Sequence, residues 1–104
     1  MTRKMKIREK EILNGVIQIL KEEINPDKIL LFGSRAKGTG LKNTDFDIAV
    51  DIEKPDIDKR REIEEKINEI AGLYKVDVVY LGSVDEDFRR IVLKTGRIIY
   101  ERNN

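Results

Sequence analysis

The chain has 104 residues, of which 39% are hydrophobic and 39% charged. That is too apolar for a disordered chain and too charged for a membrane protein. Lys and Arg number 21 against 20 Asp and Glu, a net charge of +1, so no whole-molecule field draws it to nucleic acid or acidic membranes. Cys and His are both absent. This excludes disulfides, thiolate and imidazole metal sites, Cys nucleophiles and Ser–His–Asp triads. Any chemistry must run on carboxylates, hydroxyls, Lys, Arg and backbone amides. The length suits one domain spanning residues 1–104. No apolar run approaches the ~20 residues of a membrane span, and Met1 to Lys10 lacks an apolar signal region. The expectation is a cytoplasmic protein.

The elements alternate in type, which predicts an α/β arrangement of helices layered on a sheet. Ile12, Val16, Ile19 and Leu20 recur at helical spacing, giving an amphipathic helix over 5–24. The basic start, Arg3, Lys4, Lys6, Arg8 and Lys10, reads as a solvated helix face, with phosphate contact as the alternative. Asn25-Pro26 ends it, since a residue before Pro avoids helical angles. Lys28 to Phe32 is apolar on both faces, as an interior strand would be.

Asp45 to Ile52 alternates. Phe46, Ile48, Val50 and Ile52 point one way; Asp45, Asp47, Ala49 and Asp51 form an outer, acidic face. Pro55 and Asp56 open a second helix with the stripe Ile63, Ile67, Ile70 and Tyr74. A Val-rich strand follows from Lys75 to Leu81. Ser83-Val-Asp-Glu86 fits a capping box, with Ser83 as the cap. The third helix runs through Phe88, Ile91 and Val92 and stops at Gly96, before a short last strand from Arg97 to Tyr100.

The chemistry concentrates between Phe32 and Asp51. Gly33 lets the backbone approach a ligand closely. The amides that follow, with the Ser34 hydroxyl, can form an anion site, and Arg35 and Lys37 add positive charge. It is not a P-loop. Gly33 and Gly38 have that spacing, but Thr39-Gly40 stands where Lys-Ser/Thr is required.

Asp45 and Asp47 fall on one face of their strand, with Cα atoms about 6.7 Å apart. Two carboxylates ~6 Å apart repel by about 3 kcal/mol at an effective dielectric near 20. A basic neighbour, protonation or a divalent cation relieves this. Mg²⁺ favours oxygen ligands and keeps positions open for substrate phosphates. Asp-x-Asp also occurs at Asp56/Asp58 and Asp85/Asp87, but those pairs sit at helix starts, where acids favour the dipole. Asp77 stands inside a strand of β-branched residues, where Asp is disfavoured. It reads as a third acid of the same site, or as a salt-bridge partner of Lys75 or another basic residue.

Gly33-Ser34, ten residues, Asp45-x-Asp47 and a later strand bearing Asp77 together resemble the nucleotidyltransferase superfamily of DNA polymerase β. The match is nearest to its smallest members, the minimal nucleotidyltransferases or MNT family. Gly-Ser-Arg-Ala-Lys-Gly, Asp45-Phe-Asp47-Ile-Ala-Val, Val76-Asp77-Val-Val and Thr95-Gly-Arg-Ile-Ile-Tyr100 each look like family segments. The resemblance implies a small mixed sheet with flanking helices. It implies transfer of a nucleoside monophosphate, AMP from ATP, to an acceptor hydroxyl with release of pyrophosphate. Asp45 and Asp47 would bind two Mg²⁺ ions and Asp77 would complete the first. Gly33 and Ser34 would hold the triphosphate, with Arg35 and Lys37 as further phosphate contacts.

MNT proteins of this kind act as antitoxins that AMPylate a tyrosine of a HEPN-domain toxin and bind it. The resemblance therefore implies a HEPN partner. Two alternatives stay open: a non-catalytic or weakly catalytic antitoxin that acts by binding its HEPN partner, and a small-molecule nucleotidyltransferase.

Overall fold

A computed structural model describes residues 7–33 and 45–102. Helix α1 spans Ile7–Ile24, strand β1 Lys28–Phe32 and strand β2 Asp45–Val50. Helix α2 follows at Ile57–Ala71, then strand β3 at Lys75–Tyr80. A 3₁₀ turn at Leu81–Ser83 leads to helix α3, Glu86–Thr95, and strand β4, Arg97–Glu101.

The strands form one sheet in the order β3-β2-β1-β4. β1 pairs antiparallel with β2 and with β4. β2 pairs parallel with β3. A parallel neighbour requires a crossover, and α2 is that crossover, so the small mixed sheet that the family resemblance implies is the one observed.

Both faces of the sheet are covered. On one, Ile12, Val16 and Leu20 of α1 and Ile63 and Ile67 of α2 pack on Ile29, Leu31, Phe46, Ile48 and Val50. On the other, Val92 of α3 packs on Leu30, Ala49 and Leu81. β1 is therefore interior, as its uninterrupted apolar run requires: Ile29, Leu30 and Leu31 are all fully buried.

Helix ends follow local chemistry. Asp56 caps α2 by accepting from the Lys59 amide at 2.8 Å. α1 closes on Asn25, held at φ 43°. Asn tolerates this left-handed geometry better than most residues, and its amide bonds back to the Leu20 and Lys21 carbonyls. The Arg8 guanidinium, on the basic face of α1, donates to the Ile70 carbonyl at 2.7 Å and ties α1 to the end of α2.

Four expectations need correction. β2 ends at Val50, and the chain bends at Asp51 and Ile52. The outer face of β2 is not wholly solvated, because α3 closes over Ala49. Tyr74 lies beyond the end of α2, where it packs against the core with its ring 5.6 Å from that of Phe46. Finally, the cap of α3 is Asp85, which accepts from the Phe88 amide at 3.0 Å. Ser83 is taken into the 3₁₀ turn, and its hydroxyl accepts instead from the Lys54 amide at 2.8 Å. Leu81, fully buried, opens that turn, and the helix starts later than the box pattern implies.

Candidate active site

The parallel ladder between β2 and β3 sets Asp47 directly opposite Asp77. Neighbouring strands lie about 4.8 Å apart and paired residues share a face. The two acids, 30 positions apart in the sequence, are thereby side by side. Asp77 is exposed and, among the described residues, makes no ion pair. The sequence alternative of a salt bridge to Lys75 is not what the fold builds. Lys75 instead stands opposite Asp45 in the ladder.

The antiparallel ladder sets Phe32 opposite Asp47 on the other side. Phe32 is followed by Gly33 at φ 75°, a conformation that suits glycine. A Cβ placed on Gly33 would lie 2.5 Å from Oδ2 of Asp47. Glycine is thus required twice over, for the turn and for room beside the carboxylate. The edge-to-face contact of Phe32 with Phe88 of α3, ring centroids 6.2 Å apart, flanks the site on the same face.

Of the residues singled out from sequence, the structure brings together Gly33, Asp47 and Asp77. Ser34, Arg35 and Lys37 lie outside the described residues, as does the side chain of Asp45. Among the described residues no three acidic side chains cluster as metal ligands. Asp45, two positions before Asp47 on the same strand, is the residue whose alternation would make a third. The donor set is chemically suited to Mg²⁺, since carboxylate oxygens are hard ligands and the chain has neither Cys nor His to offer a thiolate or an imidazole.

A groove of about 470 Å³ runs from Asp77 along β3. Val76, Val78, Ile63 and Ile67 form its apolar wall, and Arg60, Glu64 and Tyr80 lie toward its far end. Burial raises the Tyr80 hydroxyl above its ordinary pKa, while the nearby Arg60 charge opposes that shift. Sequence reasoning missed these groove residues. They come from two separate elements, α2 and β3, and nothing local marks β3 as a sheet edge.

A mixed sheet with paired acids on its parallel strands, next to a glycine turn, is the frame of a nucleotidyl-transfer fold. Residues 14–104 match the family model for polymerase beta nucleotidyltransferase, and the chain belongs to that family. It is 33% identical over 84 residues to the protein adenylyltransferase MntA of Thermococcus cleftensis, covering 80% of this chain and 84% of that protein. Among solved structures it is similar to a chain of a toxin–antitoxin crystal structure with AMP-PNP, with a TM-score of 0.71 and 32% identity, over 86% of this chain and 73% of that one. It is also similar to a chain of the complex of a tri-AMPylated Shewanella oneidensis HEPN toxin with an MNT antitoxin, with a TM-score of 0.68 and 26% identity, over 92% and 74%. Among the described residues no helix is long and apolar enough to cross a membrane.

Proposed function

We propose that this chain is a Mg²⁺-dependent protein adenylyltransferase that moves AMP from ATP to a tyrosine hydroxyl of a HEPN-domain toxin, and so acts as its antitoxin in the cytoplasm. The observation that carries the reading is the pairing of Asp47 with Asp77 beside Gly33. The adenylyltransferase relative, the AMP-PNP complex and the AMPylated toxin complex support the choice of nucleotide and of a protein acceptor.

Asp45, Asp47 and Asp77 would hold two Mg²⁺ ions. Ions held there would supply charge neutralisation at the triphosphate and would lower the pKa of the acceptor hydroxyl. Gly33 and Ser34 hold the triphosphate through backbone amides and the hydroxyl, and Arg35 and Lys37 add charge beside it. In the transfer, the acceptor oxygen bonds to the α-phosphorus and the bond to the β-phosphate bridge breaks. Pyrophosphate leaves and the hydroxyl proton passes to solvent. Much of the rate comes from positioning and charge stabilisation rather than from a side-chain nucleophile, so a chain without His or Cys can perform it.

The test uses ATP labelled on its α-phosphate, with Mg²⁺, in lysate of the source organism. A protein band labelled by the parent and absent with Asp47→Asn supports the reading and identifies the acceptor. No labelled protein, with a folded parent, rejects protein adenylylation.

A further inference from the structure

β3 is an outer strand of the sheet, with β2 on one side only. Among the described residues no segment pairs with its free edge. In a parallel ladder, alternate residues of an edge strand turn their N–H and C=O groups away from the partner strand, and such an edge is a template for another strand. The groove of about 470 Å³ lies along this edge, and its lining includes Asp77. From Val76 to Tyr80 the strand rises about 13 Å at ~3.3 Å per residue, room for an extended segment of four or five residues.

We infer that the acceptor binds as an extended segment added to the β3 edge, with the modified residue opposite Asp77 and apolar residues on either side of it. This rests on the protein-adenylyltransferase reading and specifies how that site takes its substrate. The side-chain preference follows from strand alternation. A residue opposite Asp77 falls on the face that carries Asp47 and α3. Its two neighbours fall on the opposite face, over the half-buried Val76 and Val78, behind which Ile63 and Ile67 of α2 are buried. That wall is apolar, so it favours valine-like side chains over polar ones. The residue opposite Tyr80, three positions from the modified one, meets the end of the groove where Arg60 and Glu64 lie; with Lys54 also in the lining, two cations stand against one acid, so an acidic residue is favoured there.

The occupant is a foreign segment rather than a second copy of this chain. Pairing β3 with β3 of another copy would close the groove beside Asp77 and shut the acceptor out of the site. Backbone bonding to the edge supplies affinity and the alternating pockets supply specificity, as in other strand-addition complexes.

The probe is the peptide Glu-Thr-Val-Tyr-Val-Thr-Glu, blocked at both ends, which reads the same in either strand direction. The control is Glu-Val-Thr-Tyr-Thr-Val-Glu, of equal composition but opposite alternation. With the full chain, ATP and Mg²⁺, the first peptide is expected to accept AMP with a KM about tenfold below the control. Arg60→Glu is expected to raise its KM about tenfold, and replacing both peptide Glu residues by Lys to restore it. As a readout besides activity, the first peptide is expected to slow hydrogen exchange at β3 amides. Equal use of the two peptides, use of neither, or no protection of β3, while a protein in lysate is still labelled, overturns strand addition and leaves protein adenylylation standing. If no protein is labelled either, the underlying reading fails and the inference with it.

Discussion

Asp47 on β2 and Asp77 on β3 are paired residues of one parallel ladder. Their adjacency is created by a helical crossover, α2, and by a register that a one-residue slip would destroy, because a slip turns one acid to the opposite face. Removing either charge should therefore disable transfer without unfolding the protein. Asp47→Asn and Asp77→Asn are each expected to lower AMP transfer at least about a hundredfold, in keeping with the several kcal/mol that metal-borne charge stabilisation supplies. Circular dichroism and melting should stay near the parent's. A variant that melts far below the parent would make that acid structural.

Gly33 tests the shape of the site. Its φ of 75° and the 2.5 Å approach of Asp47 Oδ2 to a Cβ leave no place for a side chain. Gly33→Ala is expected to cost about 1–2 kcal/mol from the backbone conformation alone and to displace the Asp47 carboxylate. Thermal melting reports the first effect. A raised Mg²⁺ requirement for transfer reports the second.

Ala49 separates the sequence pattern from the tertiary outcome. By alternation it belongs with Asp45, Asp47 and Asp51 and should accept an acid. In the fold it is fully buried with Leu30, Leu81 and Val92. Ala49→Asp would bury an unpaired carboxylate, a loss of about 3–5 kcal/mol. A urea titration should find it largely unfolded or far less stable. A stable variant would mean that α3 does not close this face.

The start of α3 can be checked with two single variants. Asp85→Ala removes the acceptor for the Phe88 amide and should cost about 1 kcal/mol, a fall of about 4–8 °C in Tm for a domain of this size. Glu86→Ala removes only an exposed ion pair with Arg90 at 3.9 Å and should stay within about 0.5 kcal/mol. The reverse order would restore the box centred on Ser83 and Glu86.

Glu23 makes the α1–α2 contact sensitive to acid. Lys66 and Lys59 donate to it at 2.7 and 2.9 Å, and chiefly through the Lys66 bond its carboxyl falls from 4.5 to about 2. Its folded pKa lies below the unfolded one, so its stabilisation is complete above about pH 4.5 and lost as pH falls toward 2. The two lysines are shifted upward from 10.5, first by the same bonds to Glu23. Their contribution is complete below pH 10.5 and lost as pH rises through the raised values. Glu23→Gln should therefore be less stable than the parent at pH 7, with the gap narrowing as pH falls from 4.5 to 2. Urea midpoints across that range measure it. A constant gap would show that packing, not charge, is what Glu23 contributes.

Much of this molecule is set by local patterns. The limits of β1 follow from the apolar run Lys28 to Phe32 and the Gly that ends it. The α2 cap follows from Asp56, since a short acid after a Pro can bond the orphan amides of a first helical turn. The family motifs, and with them the expectation of nucleotidyl transfer, are legible because Gly33, Asp45 and Asp47 lie within one short stretch.

Other features depend on which elements meet. That Asp77 stands beside Asp47, that α3 rather than water covers Ala49, and that β3 keeps a free edge along a groove are long-range facts. Alternation assigns each strand residue to one of two faces, but it does not say what covers a face or which strand is outermost. Those choices come from packing α1 and α2 on one side of the sheet and α3 on the other, where the burial of apolar surface is shared among residues far apart in the chain.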